Sequence, residues 1–261
     1  MPELVTRHDQ DHVARLVLNS PANYNALSFE MIETLSSTLH AIASDDTVRA
    51  VILAANGKAF CAGHDLRQMQ SARSDVDDGR ASFQRLFDEC ARMMQLVPAL
   101  PQPVIAEVRG IATAAGCQLV ASCDMAIAAK GTRFGVNGVN IGLFCSTPMV
   151  ALTRAIPAKA AFEMLTTGEF IQADRARELG LINRIVPADQ LVETTMELAR
   201  TVAAKLPAAV RLGKRAFYDQ LRKGLADAYT QTGQTMCENI MLPDTDEGIS
   251  AFLEKRPPSW T

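Results

Sequence analysis

Two short segments rich in small residues carry the first hint of chemistry. Ala62-Gly63-His64 follows the apolar run Arg49–Ala55, and Gly110 through Gly116 feeds a stretch of helical character. Small residues let a backbone approach a ligand closely. The start of a helix presents unpaired N–H groups and the positive end of its dipole. One N–H from each segment would clamp an oxygen that turns negative during a reaction. Two strand-to-helix turns packed tightly for structural reasons alone would use the same residues.

Other common chemistries lack their parts. There is no Gly-x-Ser-x-Gly elbow, no Walker loop and no Gly-x-Gly-x-x-Gly fingerprint. Asp75, Asp77 and Asp78, followed by Gly79, miss the calcium-loop spacing and read as a solvated loop. Cys61, Cys90, Cys117, Cys123, Cys145 and Cys237 form no Cys-x-x-Cys pair and have no His at zinc-ligand spacing. They read as small buried hydrophobes, with Cys145 held open because its loop looks functional. No metal and no prosthetic group is expected. His8, His12 and His40 read as surface residues.

The elements that must position the two segments alternate. Val13–Asn19, Arg49–Ala55, Pro103–Val108 and Met125–Ala129 have the length and branching of strands. Between them a helix opens at Ser28, with Met31, Ile32, Leu35, Leu39 and Ile42 on one face, and another covers Ala81–Val97. The pattern predicts an α/β layered fold. After Ile185 only helices follow, over Gln190–Lys205, Ala208–Leu221 and Leu225–Ile240, with a break near Leu206–Pro207.

The chain has 261 residues, 26 basic against 29 acidic, and 48% hydrophobic content, the balance of a globular protein. A net charge of −3 without basic runs excludes nucleic acid and anionic membrane as main partners. Phe134–Thr153 carries no charge, yet its glycines, asparagines and Pro148 make it a buried loop running into a helix rather than a span. Charges at Glu3, Arg7, Asp9, Asp11 and Arg15 leave no room for a signal-peptide core, so a soluble cytoplasmic protein is expected.

Four segments, in this order and at these separations, resemble the crotonase (enoyl-CoA hydratase/isomerase) superfamily. They are Pro21-Ala-Asn-Tyr-Asn-Ala-Leu-Ser28, Gly57-Lys-Ala-Phe-Cys-Ala-Gly-His-Asp-Leu66, Pro103 through Asp124, and Phe134-Gly135 through Gly142. Ala251-Phe-Leu-Glu-Lys-Arg256 is similar to that family's C-terminal signature. The resemblance implies a crotonase (ClpP-like) fold: a spiral of ββα units over residues 1–206, then a helical oligomerisation region over 207–261. It implies homotrimers or hexamers built as a dimer of trimers, and a coenzyme A thioester as substrate or ligand. Matching residue by residue, the oxyanion-hole donors are the backbone N–H groups of His64 and Ala115. Ala115 replaces the usual glycine there, which keeps the N–H but adds a methyl group. The His64 imidazole is left without an assigned task. Asn25, Ala26, Leu27, Ala62, Asp65, Leu66 and Arg67 would line the CoA site, with Asp65 reading more readily as a cap, and Phe252 and Lys255 would reach a neighbouring subunit's CoA.

The family's two carboxyl groups fall on Gln118 and Gly138. Glutamine holds water but cannot exchange a proton, and glycine does neither. Each missing acid or base is worth ~10²–10⁴ in rate, so ordinary hydration is doubtful. Restoring both carboxyls, Gln118→Glu with Gly138→Glu, would then be expected to revive it. The loop Gly138–Pro148 resembles the branch of enoyl-CoA hydratase domain-containing protein 3, which also lacks the glutamate pair. Asn137, Asn140, Cys145, Ser146, Asp88 and Glu89 are the candidate substitutes. The expected function is an acyl-CoA enzyme stabilising an enolate without that pair. A silent acyl-CoA-binding or regulatory subunit, and a decarboxylase or thioesterase, remain alternatives.

Overall fold

The protein is described by a computed structural model over residues 3–260; residues 1, 2 and 261, the outer ends of the two expected regions, lie outside the described residues. Val5–Gln10 (β1) and Val13–Leu18 (β2) form an antiparallel hairpin. Ser28 accepts the Met31 N–H and caps Phe29–Ala43 (α1), whose stripe from Met31 to Ile42 is buried. Ala50–Ala55 (β3), Leu66–Ala72 (α2), Arg80–Ala99 (α3), Val104–Val108 (β4), Ile111–Thr113 (β5) and Ala115–Ser122 (α4) follow. Next come Met125–Ala129 (β6), Arg133–Gly135 (β7), Pro148–Ala155 (α5), Ala158–Thr167 (α6), Ile171–Gln172 (β8), Ala173–Leu179 (α7) and Arg184–Val186 (β9). Leu191–Ala203 (α8), Pro207–Gln220 (α9), Leu225–Ile240 (α10) and Pro243–Leu253 (α11) complete the chain, with Pro207 starting α9 at the expected break.

Six strands form one sheet in the order β1-β2-β3-β4-β6-β9, and β5, β7 and β8 form a second. The chain therefore lays a strand in the first sheet, crosses to the second, and returns through a helix. This is the ββα spiral of a crotonase fold. Beyond the hairpin, the first sheet is parallel throughout. All six residues of β3 are buried. Val51, Leu53 and Ala55 enter the main core, while Ala50, Ile52 and Ala54 pack under Ala199 and Ala203 of α8. A strand covered on both faces has to be apolar without alternation, as this run is.

The helical tail is anchored by α9. Lys214 Nζ donates to the Val97 and Gln102 carbonyls, both at 3.0 Å, and to Asp124 Oδ2 at 2.7 Å. Tyr218 donates to Asp124 Oδ1 at 2.8 Å. Burial pulls the Lys214 pKa down against the pull of Asp124 upward. Removing one partner of such a buried pair strands a charge and costs ~3–5 kcal/mol. Beyond α9 the packing thins: α10 buries no residue, and Leu225, Tyr229 and Met236 are largely exposed.

One sequence expectation is corrected here. The uncharged stretch 134–153 is not a buried loop: Ile141, Leu143, Phe144, Met149 and Val150 are exposed. Only Phe134–Val136, Cys145, Pro148 and Leu152 turn inward. Apolar composition marks a surface that avoids water, and a single chain does not cover this one.

Candidate active site

The spiral places the two small-residue segments side by side. Single bridges extend the second sheet past β5: Cys61 pairs with Ala112, and Leu27 pairs with His64. Thr113 N–H donates to Cys61 O at 3.0 Å, and Leu27 N–H donates to Gly63 O at 2.7 Å. Gly63 adopts φ +89, and a Cβ there would lie 2.9 Å from Ala114 Cβ. At Gly116 a Cβ would run into the Cys61 carbonyl and stand 2.8 Å from Cys61 Cβ. The segments touch through their backbones, and side chains at either glycine would force them apart.

The turn into α4 is strained. Ala114 holds φ 49, ψ −121, a region L-residues avoid, and its N–H donates to Gly135 O at 2.9 Å. That conformation makes Ala115 the first residue of α4, with its N–H ahead of the helical ladder. Among the described residues, neither the His64 nor the Ala115 backbone N–H donates to a protein acceptor. Two free donors on touching segments are equipped to hold one oxygen.

Two uncharged polar side chains belong to the same segments, Gln118 and His64. Gln118, three residues into α4 and 5% exposed, has its Oε1 buried without a partner. The His64 ring packs edge-on against Phe87 with centroids 5.4 Å apart, and its Nε2 is likewise buried and unpartnered. Burial pushes the His64 pKa down to about 4, so the ring is neutral above that pH. Residue spacing cannot reveal this buried imidazole, because it depends on α3 arriving from elsewhere in the chain.

The second carboxyl position is closed. A Cβ on Gly138 would collide with the Leu143 carbonyl and stand 2.9 Å from Cys145 Sγ. The nearby Gly138 backbone favours the thiolate of Cys145, but burial outweighs it and raises the thiol pKa. The expected revival by Gln118→Glu with Gly138→Glu is therefore corrected: position 138 admits no glutamate without rebuilding its loop. The substitute candidates are mostly engaged. Asn137 accepts from Thr113 at 2.6 Å, Asn140 donates to Gly168 O, Asp88 accepts from Gln84, and Glu89 pairs with Arg85 at 2.7 Å. Ser146 is exposed on the loop. Cys145 alone lies against Gly138.

The residues expected to line a CoA site divide. Asn25 has no exposed surface; its Oδ1 accepts from Ser20 and its Nδ2 donates to the Asn56 and Ala59 carbonyls. Leu27 is enclosed too. Both therefore support the loop rather than line it, which corrects their expected role. Ala26 and Ala62 are half-buried, and Leu66 and Arg67 are exposed on α2. Asp65 caps α2, accepting from the Arg67 and Gln68 N–H groups, as its capping reading anticipated. Phe252 is 81% exposed near the end of α11, and Lys255 follows it into solvent. Among the described residues no cluster of His, Cys, Asp or Glu is arranged to hold a metal.

Known proteins resemble this chain over nearly its whole length. A family model described as enoyl-CoA hydratase/isomerase matches residues 8–261. A Xenopus laevis relative, "Enoyl-CoA hydratase domain-containing protein 3, mitochondrial", is 45% identical over 253 residues, 97% of this chain and 84% of its own. The solved structure of a Mycobacterium smegmatis enoyl-CoA hydratase has a TM-score of 0.94 at 50% identity, covering 98% of each chain. That of human enoyl-CoA hydratase domain-containing protein 3 also reaches 0.94, at 44% identity, covering 98% of this chain and 100% of that one. The frog, rat, mouse, human and zebrafish relatives are all named mitochondrial, and this overturns the cytoplasmic expectation. Composition and charge had no power there, because a folded protein's surface chemistry is alike in either compartment. No helix among the described residues is long and apolar enough to cross a membrane.

Proposed function

From the premise that this chain belongs to the enoyl-CoA hydratase/isomerase (crotonase) family, in the branch of enoyl-CoA hydratase domain-containing protein 3, we propose that it binds an acyl-CoA thioester and stabilises its enolate through the backbone N–H groups of His64 and Ala115. The observation that carries this reading is the pair of unpartnered donors on two touching segments. A thioester carbonyl gains negative charge as its α-carbon loses a proton or carboxyl group, and preformed donors favour that state. Ordinary hydration is poor in this reading, because an uncharged Gln118 and a closed Gly138 supply no proton exchange.

Arg67 and the neighbouring subunit's Lys255 would meet the CoA phosphates, with Phe252 alongside. That arrangement requires a trimer or a pair of trimers, and the exposed apolar residues of α10 and α11 support it. Light scattering should give at least three chains per particle; a stable monomer at micromolar concentration would remove the shared CoA site.

The donors are tested without relying on turnover. Butyryl-CoA labelled with ¹³C at its carbonyl should show a lower stretching frequency when bound than in water, because two N–H groups pull charge onto the oxygen. An unshifted band on a bound ligand would sink the enolate reading and leave a silent acyl-CoA binder. No binding by any chain length would sink both.

A further inference from the structure

Resting on the donor reading above, we infer that Thr113 and Asn137 are positioning residues. Their side-chain hydrogen bond holds Ala114 in a backbone conformation that L-residues avoid, and so aims the Ala115 N–H at the thioester oxygen.

Ala114 stands at φ 49, ψ −121, a turn corner that glycine ordinarily occupies. The peptide plane that follows carries the Ala115 N–H, so ψ at Ala114 sets where that donor points. Relaxation of Ala114 to negative φ would swing the plane and turn the donor away. A conformation of this kind persists only where its surroundings over-determine it.

Three hydrogen bonds hold Ala114 there. The Thr113 N–H donates to Cys61 O at 3.0 Å, and the Ala114 N–H donates to Gly135 O at 2.9 Å. Both run between backbones and are open to any side chain. The third depends on residue type: Thr113 Oγ1 donates to Asn137 Oδ1 at 2.6 Å. β5 and β7 pair over three residues, ending at Thr113 opposite Gly135. Asn137 lies two residues past that end, so the side-chain bond closes the join on the residue that precedes Ala114. Thr113 and Asn137 are both half-buried, which shields the bond from water. On the other side the Ala114 methyl faces Gly63, where a Cβ would stand only 2.9 Å from it. Asn137, one of the candidate substitutes for a lost carboxyl, thus acts by holding the turn and not by proton exchange, which a carboxamide cannot perform.

The carbonyl band of bound ¹³C-labelled butyryl-CoA reads the donors directly on the full chain. Thr113→Val keeps the side-chain shape and removes the hydroxyl. It should reverse about half of the frequency shift seen in the unaltered protein, because one of two N–H groups is turned away. Butyryl-CoA affinity should fall roughly tenfold with it. Thr113→Ser should keep the full shift. Adding Ala114→Gly to Thr113→Val should restore the shift, because glycine holds positive φ without a clamp. Asn137→Ala removes the acceptor instead and gives a second reading should Thr113→Val fold poorly. A role confined to stability would lower the melting temperature of both variants and leave the band in place, which would overturn the inference. So would a band that moves in Thr113→Val and does not return with Ala114→Gly. An unshifted band already in the unaltered protein, or no binding at all, would overturn the donor reading beneath and this inference with it.

Discussion

The donor segments 62–64 and 114–116 contrast with the acid–base loop 137–146. Both regions adjoin the second sheet, yet in the proposed function the first acts through backbone and the second would have to act through side chains. At the donors, small residues suffice: Gly63 and Gly116 permit contact, Ala114 accepts strain, and the identity of Ala115 hardly alters its N–H. In the loop, proton transfer in the proposed function would need a side chain at position 138, and the space there is taken by Cys145 and the Leu143 carbonyl. Backbone chemistry survives substitution, while side-chain chemistry is lost with a single residue. A family member can therefore keep thioester recognition after losing its proton-transfer groups.

The contrast breaks most sharply at Gly116. Gly116→Val drives a side chain into the Cys61 carbonyl and should destabilise the fold by ~3 kcal/mol, the upper range for overpacking. Chemical denaturation would read the loss, and calorimetry should show thioester binding gone with it. A Gly116→Val protein of normal stability and affinity would show that the segments need no close contact.

Acid should weaken the donor region next. His64 has a pKa of 6.5 when free and about 4 when folded. Between those values the unfolded chain takes up a proton that the folded chain refuses, so stability falls as pH drops from 6.5 towards 4. The full loss from this residue is about 3 kcal/mol, complete below pH 4. Urea titrations at pH 7 and pH 4.5 should show the decline, and His64→Phe should remove that part of it. Identical slopes in both proteins would mean that the ring is solvated.

Hydration sharpens the other half of the comparison. Crotonyl-CoA turnover should lie at least ~10²-fold below the ~10 s⁻¹ median of enzymes, because no carboxyl pair is present. Gln118→Glu alone should raise it less than about tenfold, since both groups act on one transition state. Gly138→Glu should lower the melting temperature rather than add activity. Brisk hydration by the unaltered protein, followed by loss of crotonyl-CoA absorbance, would reveal another acid–base pair, with Cys145 the first to examine.

The smallest effect belongs to Gly142, in the acid–base loop. It adopts φ +77 with open space around its Cβ direction, so Gly142→Ala should cost only ~1 kcal/mol of backbone strain. A loss as large as that of Gly116→Val would erase the distinction between a clamped region and a loose one.

Legibility in the sequence followed size and locality. Helix α10 has the bounds its periodicity predicts, Leu225–Ile240, and Ser28 caps α1 as its position before the apolar stripe suggests. β5, β7, β8 and β9 are two or three residues long, too short for any periodic signal. β1 carries no apolar pattern, because four of its six residues are exposed and polar.

The sequence by itself determined the alternation of strands and helices, the small residues of the donor segments and the lack of carboxyls at 118 and 138. These properties are local, written in residue type and spacing. Only the tertiary structure decided which groups meet. It set Cys61 beside Gly116, gave the His64 ring its wall in Phe87, enclosed Asn25 and Leu27, and filled the space at Gly138. Whether a polar atom is partnered, or a Cβ has room, depends on segments far apart in the chain, and the spiral alone brings them into contact.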